Sequence, residues 1–282
     1  MDTLFIWLQY LLPQHLLSRL AARFANSETR WLKTLLIRRF IKTYNVNMEE
    51  AAAEADSYPS FNAFFTRALK VGARPVADVE KFILSPADGA ISQVGCIESG
   101  RILQAKGQHY SVSELLAGDR EMAEKYRDGL FITIYLSPRD YHRVHMPISG
   151  TLKYTTYVPG DLFSVNHATA SHVPRLFARN ERLICVFDTE LGKVTSVMVG
   201  AMIVAGIATV WAGPVTAHGK EIQTSRYLEA QTPPTLAAGA EMGRFMLGST
   251  VILLFEAGQI EWLPELQAGS AVRMGRALAR RL

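Results

Sequence analysis

Two hydrophobic patterns divide the chain near residue 57. Before this point apolar residues recur every three or four positions with basic residues between them, as in amphipathic helices. From residue 82 onward the pattern changes to short apolar or alternating stretches separated by turn residues, as in β-strands joined by loops. The change predicts a helical arm, residues 1–57, followed by a β-rich domain, residues 58–282.

Closely spaced strands in the second part favour an antiparallel sheet. Two short helices, at 112–116 and 120–126, are predicted among them, whereas a doubly wound α/β fold needs longer helices between successive strands. We therefore expect an α+β protein with a mainly antiparallel β core and an N-terminal amphipathic helical arm. The polar stretch 217–240 is predicted to be a surface loop. Strands are predicted at 90–97, 129–136, 151–158, 183–188, 194–199, 203–211, 250–255 and 259–262.

The arm contains a short apolar run and two amphipathic segments. The run, residues 4–12, is shorter than the roughly 20 residues that a membrane span needs. Asp2 precedes it, where a signal peptide would carry positive charge, so we expect neither a span nor a signal peptide. Over 14–25 and 31–42 apolar residues recur with helical spacing, and Lys and Arg are interleaved in the second segment.

Helices of this composition allow two interpretations. Trp, Phe and Leu together with Lys and Arg suit the headgroup layer of an anionic membrane. The alternative is an arm that packs on the core and leaves its basic residues in solvent. At the junction with the body, Asn47 is predicted to cap a short helix at 48–55, because Glu49 and Glu50 would lie where the helix dipole favours acids.

Composition narrows the class of protein. The chain has 282 residues, of which 49% are hydrophobic and 20% charged, so it can bury a sizeable core and is neither disordered nor fibrous. The net charge is +4, and the basic residues concentrate in the arm and at 273–282 rather than on a continuous face, so no nucleic acid partner is expected. Cys96 and Cys185 cannot build a disulfide framework and indicate a reducing compartment.

Two segments place reactive side chains next to turn residues. The first is Ser-Pro-Ala-Asp-Gly at 85–89, where a tight turn would fix Asp88. The second is Ser-Pro-Arg-Asp-Tyr-His-Arg-Val-His-Met-Pro at 137–147, where His142 and His145 follow an apolar strand and could supply a base and a proton donor near neutral pH. Each also has a plain interpretation, a common Asp-Gly turn in one case and surface histidines or a metal pair in the other.

A third segment, Leu-Gly-Ser-Thr at 247–250, places Ser249 at the start of a strand behind the flexible Gly248. Asp, His and Ser are the parts of an activated hydroxyl nucleophile, but any protein of this size contains them, and the residues alone name no substrate. No metal is predicted, because no zincin-like pattern is present, although His167 and His172 could complete a site in space.

Taken together, these motifs resemble the phosphatidylserine decarboxylase family, in its bacterial, pyruvoyl-dependent form that is made as a self-cleaving precursor. The arm, residues 1–57, resembles the family in its amphipathic, basic composition and not in a specific motif. The combination of Asp-Tyr-His-Arg-Val-His with Leu-Gly-Ser-Thr is highly specific. Matching segments occur in the expected order between about 58 and 256, at 61–67 (Phe-Asn-Ala-Phe-Phe-Thr-Arg), 85–89, 106–107, 110–111, 137–147, 159–166, 211–213 and 247–250.

The resemblance implies a role for each candidate residue. Ser249 would become the pyruvoyl group, and the bond between Gly248 and Ser249 would be cleaved. Asp88 and His145 would form the relay that activates Ser249, and His142 would act in decarboxylation. The peptide bond would become an ester, and β-elimination of the ester would separate the two chains and leave dehydroalanine at residue 249. Hydrolysis of that residue would give the pyruvoyl group. The products would be a β chain, 1–248, and a pyruvoyl-capped α chain, 249–282.

The resemblance also implies the cofactor and the partners. The pyruvate-derived group on Ser249 would form a Schiff base with the amine of phosphatidylserine and accept the electrons released with CO2, so that phosphatidylethanolamine is formed without a metal. The N-terminal helices would contact the cytoplasmic face of the bacterial inner membrane, and the enzyme would be a homodimer of αβ units. Two alternatives stay open: a serine hydrolase that does not cleave itself, and a lipid-binding module without catalysis.

Overall fold

A computed structural model describes residues 2–105, 107–202, 206–215, 221–227, 232–246 and 249–282. The α-helices are α1 (Asp2–Leu11), α2 (Gln14–Ala25), α3 (Arg30–Tyr44), α4 (Phe61–Phe65), α5 (Val112–Leu115), α6 (Arg120–Lys125), α7 (His167–Ala170) and α8 (Leu176–Arg179). The strands are β1 (Phe82–Leu84), β2 (Gly89–Cys96), β3 (Arg101–Ala105), β4 (Gln108–Ser111), β5 (Leu130–Leu136), β6 (Arg143–His145), β7 (Gly150–Val158), β8 (Arg182–Thr189), β9 (Gly192–Val199), β10 (Ile207–Thr209), β11 (Gly213–Val215), β12 (Gln223–Arg226), β13 (Thr235–Leu236), β14 (Glu241–Phe245), β15 (Ser249–Phe255), β16 (Ile260–Trp262), β17 (Ala271–Val272) and β18 (Ala277–Arg281).

Antiparallel pairing joins these strands into one large sheet, two smaller sheets and a hairpin. The large sheet has the order β12-β7-β8-β9-β15-β5-β2-β17, with β13 also paired to β7. The smaller sheets have the orders β11-β10-β14-β6 and β1-β18-β16, and β3 pairs with β4. The expected α+β class with a mainly antiparallel core and N-terminal helices is therefore confirmed.

Strand β15 occupies the middle of the large sheet, between β9 and β5, and is buried along its whole length. Because successive side chains point to opposite faces, Val251 and Leu253 enter one core layer, whereas Ile252 and Leu254 enter the other. The first layer lies between the large sheet and strands of the two smaller sheets, and the second includes residues of the short helices α5 to α8. Ser249, the first residue of β15, is thus held on a rigid, doubly covered element.

The helical arm contacts the body through several of its segments, among them α1 and α3. On α1, Gln9 Oε1 accepts a hydrogen bond from the Ser164 backbone N–H at 2.8 Å. On α3, the Phe40 ring contacts Phe61 and Phe64 of α4 at centroid distances of 5.1 and 6.1 Å. Among the described residues, no helix combines the length and the hydropathy needed to cross a membrane.

The predicted helix at 48–55 is wrong. Asn47 Oδ1 accepts a hydrogen bond from the Glu49 N–H at 3.0 Å and closes a local turn instead of capping a helix. The Ala52 N–H donates to the Ala68 carbonyl at 2.9 Å, so this segment pairs with the chain that follows α4. That pairing uses backbone groups that a helix would have to satisfy internally.

The loop predicted at 217–240 is wrong in part, because Gln223–Arg226 and Thr235–Leu236 form strands, whereas the other residues described in this range are in neither a helix nor a strand. Strands β12 and β13 pair with β7 at the edge of the large sheet. The polar composition reflects the exposure of β12 at that edge. Of the strand predicted at 203–211, Ile207–Thr209 is observed, and 203–205 lie outside the described residues, as do 216–220 and 228–231.

Candidate active site

The segments predicted to carry the chemistry meet at one end of the large sheet. Ser249 at the start of β15 is paired with Leu136 at the end of β5. The loop that follows β5 leads into β6, where the His145 N–H donates to the Pro86 carbonyl at 2.8 Å. The Asp88 turn, the histidine segment and the first residue of β15 therefore lie together at one end of the large sheet, where its central strands begin or finish, although they are far apart in sequence.

Ser249 is fully buried, and its Oγ has no hydrogen-bond partner among the described residues. Thr133, Ser196 and Thr250 of the same sheet have buried hydroxyl groups in the same state, so the missing partner alone does not distinguish Ser249. Gly248, the residue predicted to supply the scissile carbonyl group, lies outside the described residues. The hydroxyl group of Ser249 is therefore held by its strand and not by a hydrogen bond.

His145 is oriented by two neighbours. Its Nδ1 lies 2.8 Å from the Gly239 carbonyl oxygen, and its Nε2 lies 3.0 Å from the Tyr141 hydroxyl group. A carbonyl oxygen can only accept, so Nδ1 carries the proton and Nε2 is the basic atom that accepts from Tyr141. Burial lowers the pKa of His145, against the opposing effects of the Gly239 carbonyl and the negative Glu241. The ring is consequently neutral at pH 7.

Asp88 is held by a cation on one side and a backbone group on the other. Its carboxylate accepts hydrogen bonds from Arg74 Nε at 2.9 Å and from the Met274 N–H at 2.9 Å. Arg74 also donates to Glu50 at 2.8 Å. Burial lowers the pKa of Arg74, but its bonds to Asp88 and Glu50 outweigh burial and raise the pKa. Within the described part of the chain, neither Asp88 and His145 nor His145 and Ser249 share a hydrogen bond.

His142 lies inside the protein, stacked on the Phe65 ring at a centroid distance of 4.0 Å. Neither ring nitrogen has a hydrogen-bond partner among the described residues. Burial, with a contribution from the positive Arg67, lowers the pKa of His142 to about 3. The imidazole is therefore neutral over the physiological range, although the nearby backbone groups of Pro138 and Ser137 oppose the lowering of its pKa.

A cavity of about 570 Å³ opens beside Asp88, and His142, His145 and Ser249 are not among the described residues that line it. Its walls include Asp88, Tyr141 and Arg67, and also Tyr135 and Ser137, which flank the pairing partner of Ser249 in sequence. The cavity contains several charged side chains and is large enough for a polar headgroup.

The contacts show several residues that sequence reasoning did not assign. Tyr141 belongs to the predicted histidine segment. Its position directly before His142 and four residues before His145 was the one signal that the sequence offered. Arg74, the Gly239 carbonyl and the Met274 N–H come from other segments, and a backbone group has no residue type by which a sequence could reveal it. The C-terminal strands that bring Met274 to Asp88 were likewise not predicted.

The histidines outside this end of the sheet form no ligand set in the part of the chain that is described. His167 begins α7, and His172 Nδ1 lies 2.8 Å from the Ala168 carbonyl oxygen. His218 lies outside the described residues. The expectation that no metal takes part stays a prediction.

Comparison of the sequence with known proteins assigns the chain to a family. The family model for phosphatidylserine decarboxylase matches residues 61–280, which include all the candidate site residues. A second family model, described as PSD, matches residues 4–45, which correspond to most of the arm.

Individual relatives cover almost the whole chain. A protein from Pseudomonas fluorescens named phosphatidylserine decarboxylase proenzyme is 59% identical over 277 residues, which is 98% of this chain and 96% of the relative. A protein of the same name from Pseudomonas putida is 60% identical over 278 residues, with 98% and 97% coverage. Another, from Alcanivorax borkumensis, is 56% identical over 275 residues, with 97% and 94% coverage.

Proposed function

The chain is an enzyme of the phosphatidylserine decarboxylase family, and from this premise we propose that it uses a pyruvoyl group made from its own Ser249. The observation that carries the proposal is the buried Ser249 hydroxyl group, unpartnered within the described residues, at the end of the sheet where Asp88 and His145 also lie. The name proenzyme, given to the relatives, agrees with a precursor that is cut.

Self-cleavage begins at the hydroxyl group of Ser249. Its oxygen attacks the carbonyl carbon of Gly248, the bond from that carbon to the Ser249 nitrogen breaks, and the amide becomes an ester with a free amino group. Elimination of the ester and hydrolysis then release ammonia and leave residue 249 as the capped end of the smaller chain. Catalysis by a positioned base typically contributes about 10²–10⁴-fold to such a proton transfer.

His145 is the proposed base. Because Nδ1 is occupied by the Gly239 carbonyl, Nε2 takes the hydroxyl proton of Ser249 after it gives up its bond to Tyr141. Asp88 supports the base through its negative charge, which raises the pKa of His145 against the effect of burial. In this proposal Arg74 and the Met274 N–H hold the Asp88 carboxylate in place.

The residues around Ser249 suit a carbonyl cap that must be kept from water. When present, the pyruvoyl group supplies an electron sink for the electrons that the departing CO2 leaves behind. The unpartnered Ser249 Oγ marks an enclosed polar position at which such a carbonyl oxygen fits. His142, neutral and with unpartnered ring nitrogens among the described residues, is the proposed group that handles the proton during decarboxylation.

The fold explains why the two chains would stay together after cleavage. The smaller chain, residues 249–282, would begin with β15, which pairs with β9 and β5 in the middle of the large sheet. Its later strands β17 and β18 pair with β2 and β1 of the larger chain. Cleavage just before the first residue of this central strand therefore leaves these backbone hydrogen bonds and the core intact.

We also propose that the arm, residues 1–57, docks the catalytic domain, residues 58–282, on a membrane surface. On α3, Trp31 and Leu35 are 68% and 55% exposed, next to Arg30, Arg38 and Lys42. This combination suits an anionic leaflet, to which each nearby Lys or Arg adds about 1 kcal/mol of attraction. Peripheral attachment to the cytoplasmic face of the inner membrane and a homodimer of αβ units complete the proposal, on the family resemblance alone.

Replacement of the serine tests the reaction. Ser249→Ala should give an uncut chain that releases no CO2 from phosphatidylserine in mixed micelles. Ser196→Ala is the matched control, because Ser196 in β9 is also buried with an Oγ that has no hydrogen-bond partner among the described residues. We expect that control to be cut and active. Full CO2 release by Ser249→Ala would contradict the pyruvoyl origin of the activity.

A further inference from the structure

Arg67 is a buried cation without an anionic partner among the described residues. It follows α4 in the Phe-Asn-Ala-Phe-Phe-Thr-Arg motif, and only 3% of it is exposed. Its Nη2 donates to the backbone carbonyl groups of Arg139 and Asp140 at 3.1 and 3.4 Å. Its Nε and Nη1 have no hydrogen-bond partner within the described part of the chain. Three N–H donors are therefore left unsatisfied.

Arg182, which is buried, and Arg74, whose side chain is largely enclosed, show how this fold satisfies such a group. Arg182 donates from all three guanidinium nitrogens to backbone carbonyl groups, including those of Leu115 and Glu114. Arg74 is paired with the carboxylates of Asp88 and Glu50. Burial of a charged guanidinium is unfavourable unless its donors are bonded, so the state of Arg67 indicates that a further group bonds it.

A cavity lies next to the Arg67 side chain, but Nε and Nη1 are themselves closed to solvent, so a ligand reaches them only when the cavity wall opens. Arg67 lines the cavity of about 570 Å³, whose acidic side chains are already engaged. Asp88 and Glu50 are bound to Arg74, and the Asp140 carboxylate accepts from the Ser137 N–H and hydroxyl group at 2.7 and 2.6 Å. Asp88 and Asp140 act on Arg67 through their charges, but neither forms an ion pair with it within the described residues, so an anionic ligand could still bond its guanidinium group.

We propose that Arg67 binds the phosphodiester group of the phospholipid substrate. The inference rests on the proposed function, which places the substrate amine at residue 249 at the same end of the sheet. A phosphodiester keeps its charge throughout decarboxylation, so binding it stabilises substrate and transition state equally. A cation on the substrate carboxylate would stabilise the charge that the reaction removes and would slow the reaction. Phosphodiester binding is therefore the arrangement consistent with catalysis.

Steady-state kinetics of the processed enzyme test this assignment. With dihexanoyl phosphatidylserine as substrate, Arg67→Met should raise KM about 10- to 100-fold, the usual effect of losing hydrogen bonds to a charged group, with kcat within about threefold of the wild type. Arg67→Lys, which keeps the charge and loses the fork of donors, should give an intermediate KM. Arg127→Met, at an exposed arginine paired with Glu124, is the control and should match the wild type.

Binding of glycerophosphoethanolamine, measured by calorimetry, identifies the anionic group that Arg67 contacts. This molecule has the phosphodiester and no carboxylate, and its binding needs no turnover. Its Kd should rise in both Arg67 variants by the same factor as KM. An unchanged Kd would overturn the proposal, whether or not turnover is impaired. Should Arg67→Met not fold, Arg67→Lys carries the same comparison. A wild type that is not cut, or releases no CO2, contradicts the proposed function, whereas the calorimetric result still decides the role of Arg67.

Discussion

His142 and His145 are buried histidines in a part of the protein where a proton must be moved. Both are neutral at pH 7 because burial lowers their pKa values. A neutral imidazole can accept a proton, so the depressed pKa values keep both side chains in the basic form wherever the pH exceeds them. We therefore expect self-cleavage to be independent of pH above about 6.5, the ordinary pKa of histidine.

The burial of His142 should also make stability depend on pH. Below about pH 6.5 the unfolded chain binds a proton at this ring, whereas the folded chain does not until about pH 3. The unfolded state then holds more protons, so the free energy of unfolding should decrease as the pH falls, by about 1.4 kcal/mol per pH unit from this group. Urea unfolding of the uncut Ser249→Ala chain at pH 7, 6 and 5 measures the slope.

The matched comparison uses two histidines of different exposure. His142→Asn should flatten the pH dependence, whereas His109→Asn, at an exposed position, should leave it unchanged. Equal slopes in the two variants would show that His142 is protonated in the folded protein, contrary to the structure.

Separate roles for the two histidines predict different products. His145→Ala should accumulate as an uncut precursor, because the loss of a general base typically slows a step about 10²–10⁴-fold. His142→Ala should still be cut but decarboxylate slowly. Gel electrophoresis followed over time reports cleavage, and CO2 release reports turnover. Normal processing of His145→Ala would remove that residue from the role of base.

At the scale of residues, sequence reasoning located the reactive side chains but not their contacts. Asp88, His145 and Ser249 stand in recognisable motifs, and the structure brings them to one end of the large sheet. The expected direct relay is not observed among the described residues, because Arg74 binds Asp88 and the Gly239 carbonyl binds His145. These neighbours are set by tertiary packing between distant segments, about which a local motif carries no information.

Among the elements, strand β2 approaches the backbone of β5 so closely at one position that only glycine fits there. A Cβ on Gly89 would lie 2.3 Å from the Tyr135 carbonyl oxygen, whereas on Gly95 of the same strand it would meet nothing closer than 3.9 Å. Gly89→Ala should therefore separate β2 from β5 and destabilise the protein by about 1–3 kcal/mol. Gly95→Ala should be neutral or slightly stabilising, because alanine restricts the unfolded chain.

Thermal unfolding of the two glycine variants in the uncut Ser249→Ala background measures this difference. A clearly lower Tm is expected for the change at Gly89 alone. If both variants melted at the same temperature, the close approach of β2 and β5 at Tyr135 would be contradicted.

The apolar pattern predicted a strand correctly where both faces of the strand are buried. It failed where the structure of a segment depends on the distant segment with which its backbone pairs. The strand predicted at 250–255 is observed as β15, since both of its faces are apolar and buried. The stretch 48–55 has helix-forming residues, but its backbone pairs with the chain after α4. The polar stretch 217–240 contains edge strands, whose exposed side chains resemble those of a loop.

For the molecule as a whole, the arm is fixed to the body and still leaves an apolar, basic surface exposed. The anchors are the Gln9 side chain on Ser164 and the Phe40 contacts with α4. Trp31 and Leu35 of α3 remain more than half exposed. Anchoring of this kind would hold the catalytic end of the sheet at a constant orientation to a membrane surface.

Replacement of the exposed pair tests membrane docking without disturbing the anchors. The double variant Trp31→Ser and Leu35→Ser should bind anionic vesicles at least tenfold more weakly, because each buried apolar side chain contributes about 1.5–3 kcal/mol. Ile222→Ser is the control, at an exposed apolar residue of the body. Vesicle sedimentation measures both, and unchanged binding of the double variant would reject the role of this surface.

The mass of the purified protein tests the central claim most directly. The account predicts two chains that meet at 248/249, the smaller one beginning with a pyruvoyl group in place of a serine and therefore blocked to N-terminal sequencing. A preparation that decarboxylates phosphatidylserine while its mass spectrum shows one intact chain of 31.3 kDa would contradict it.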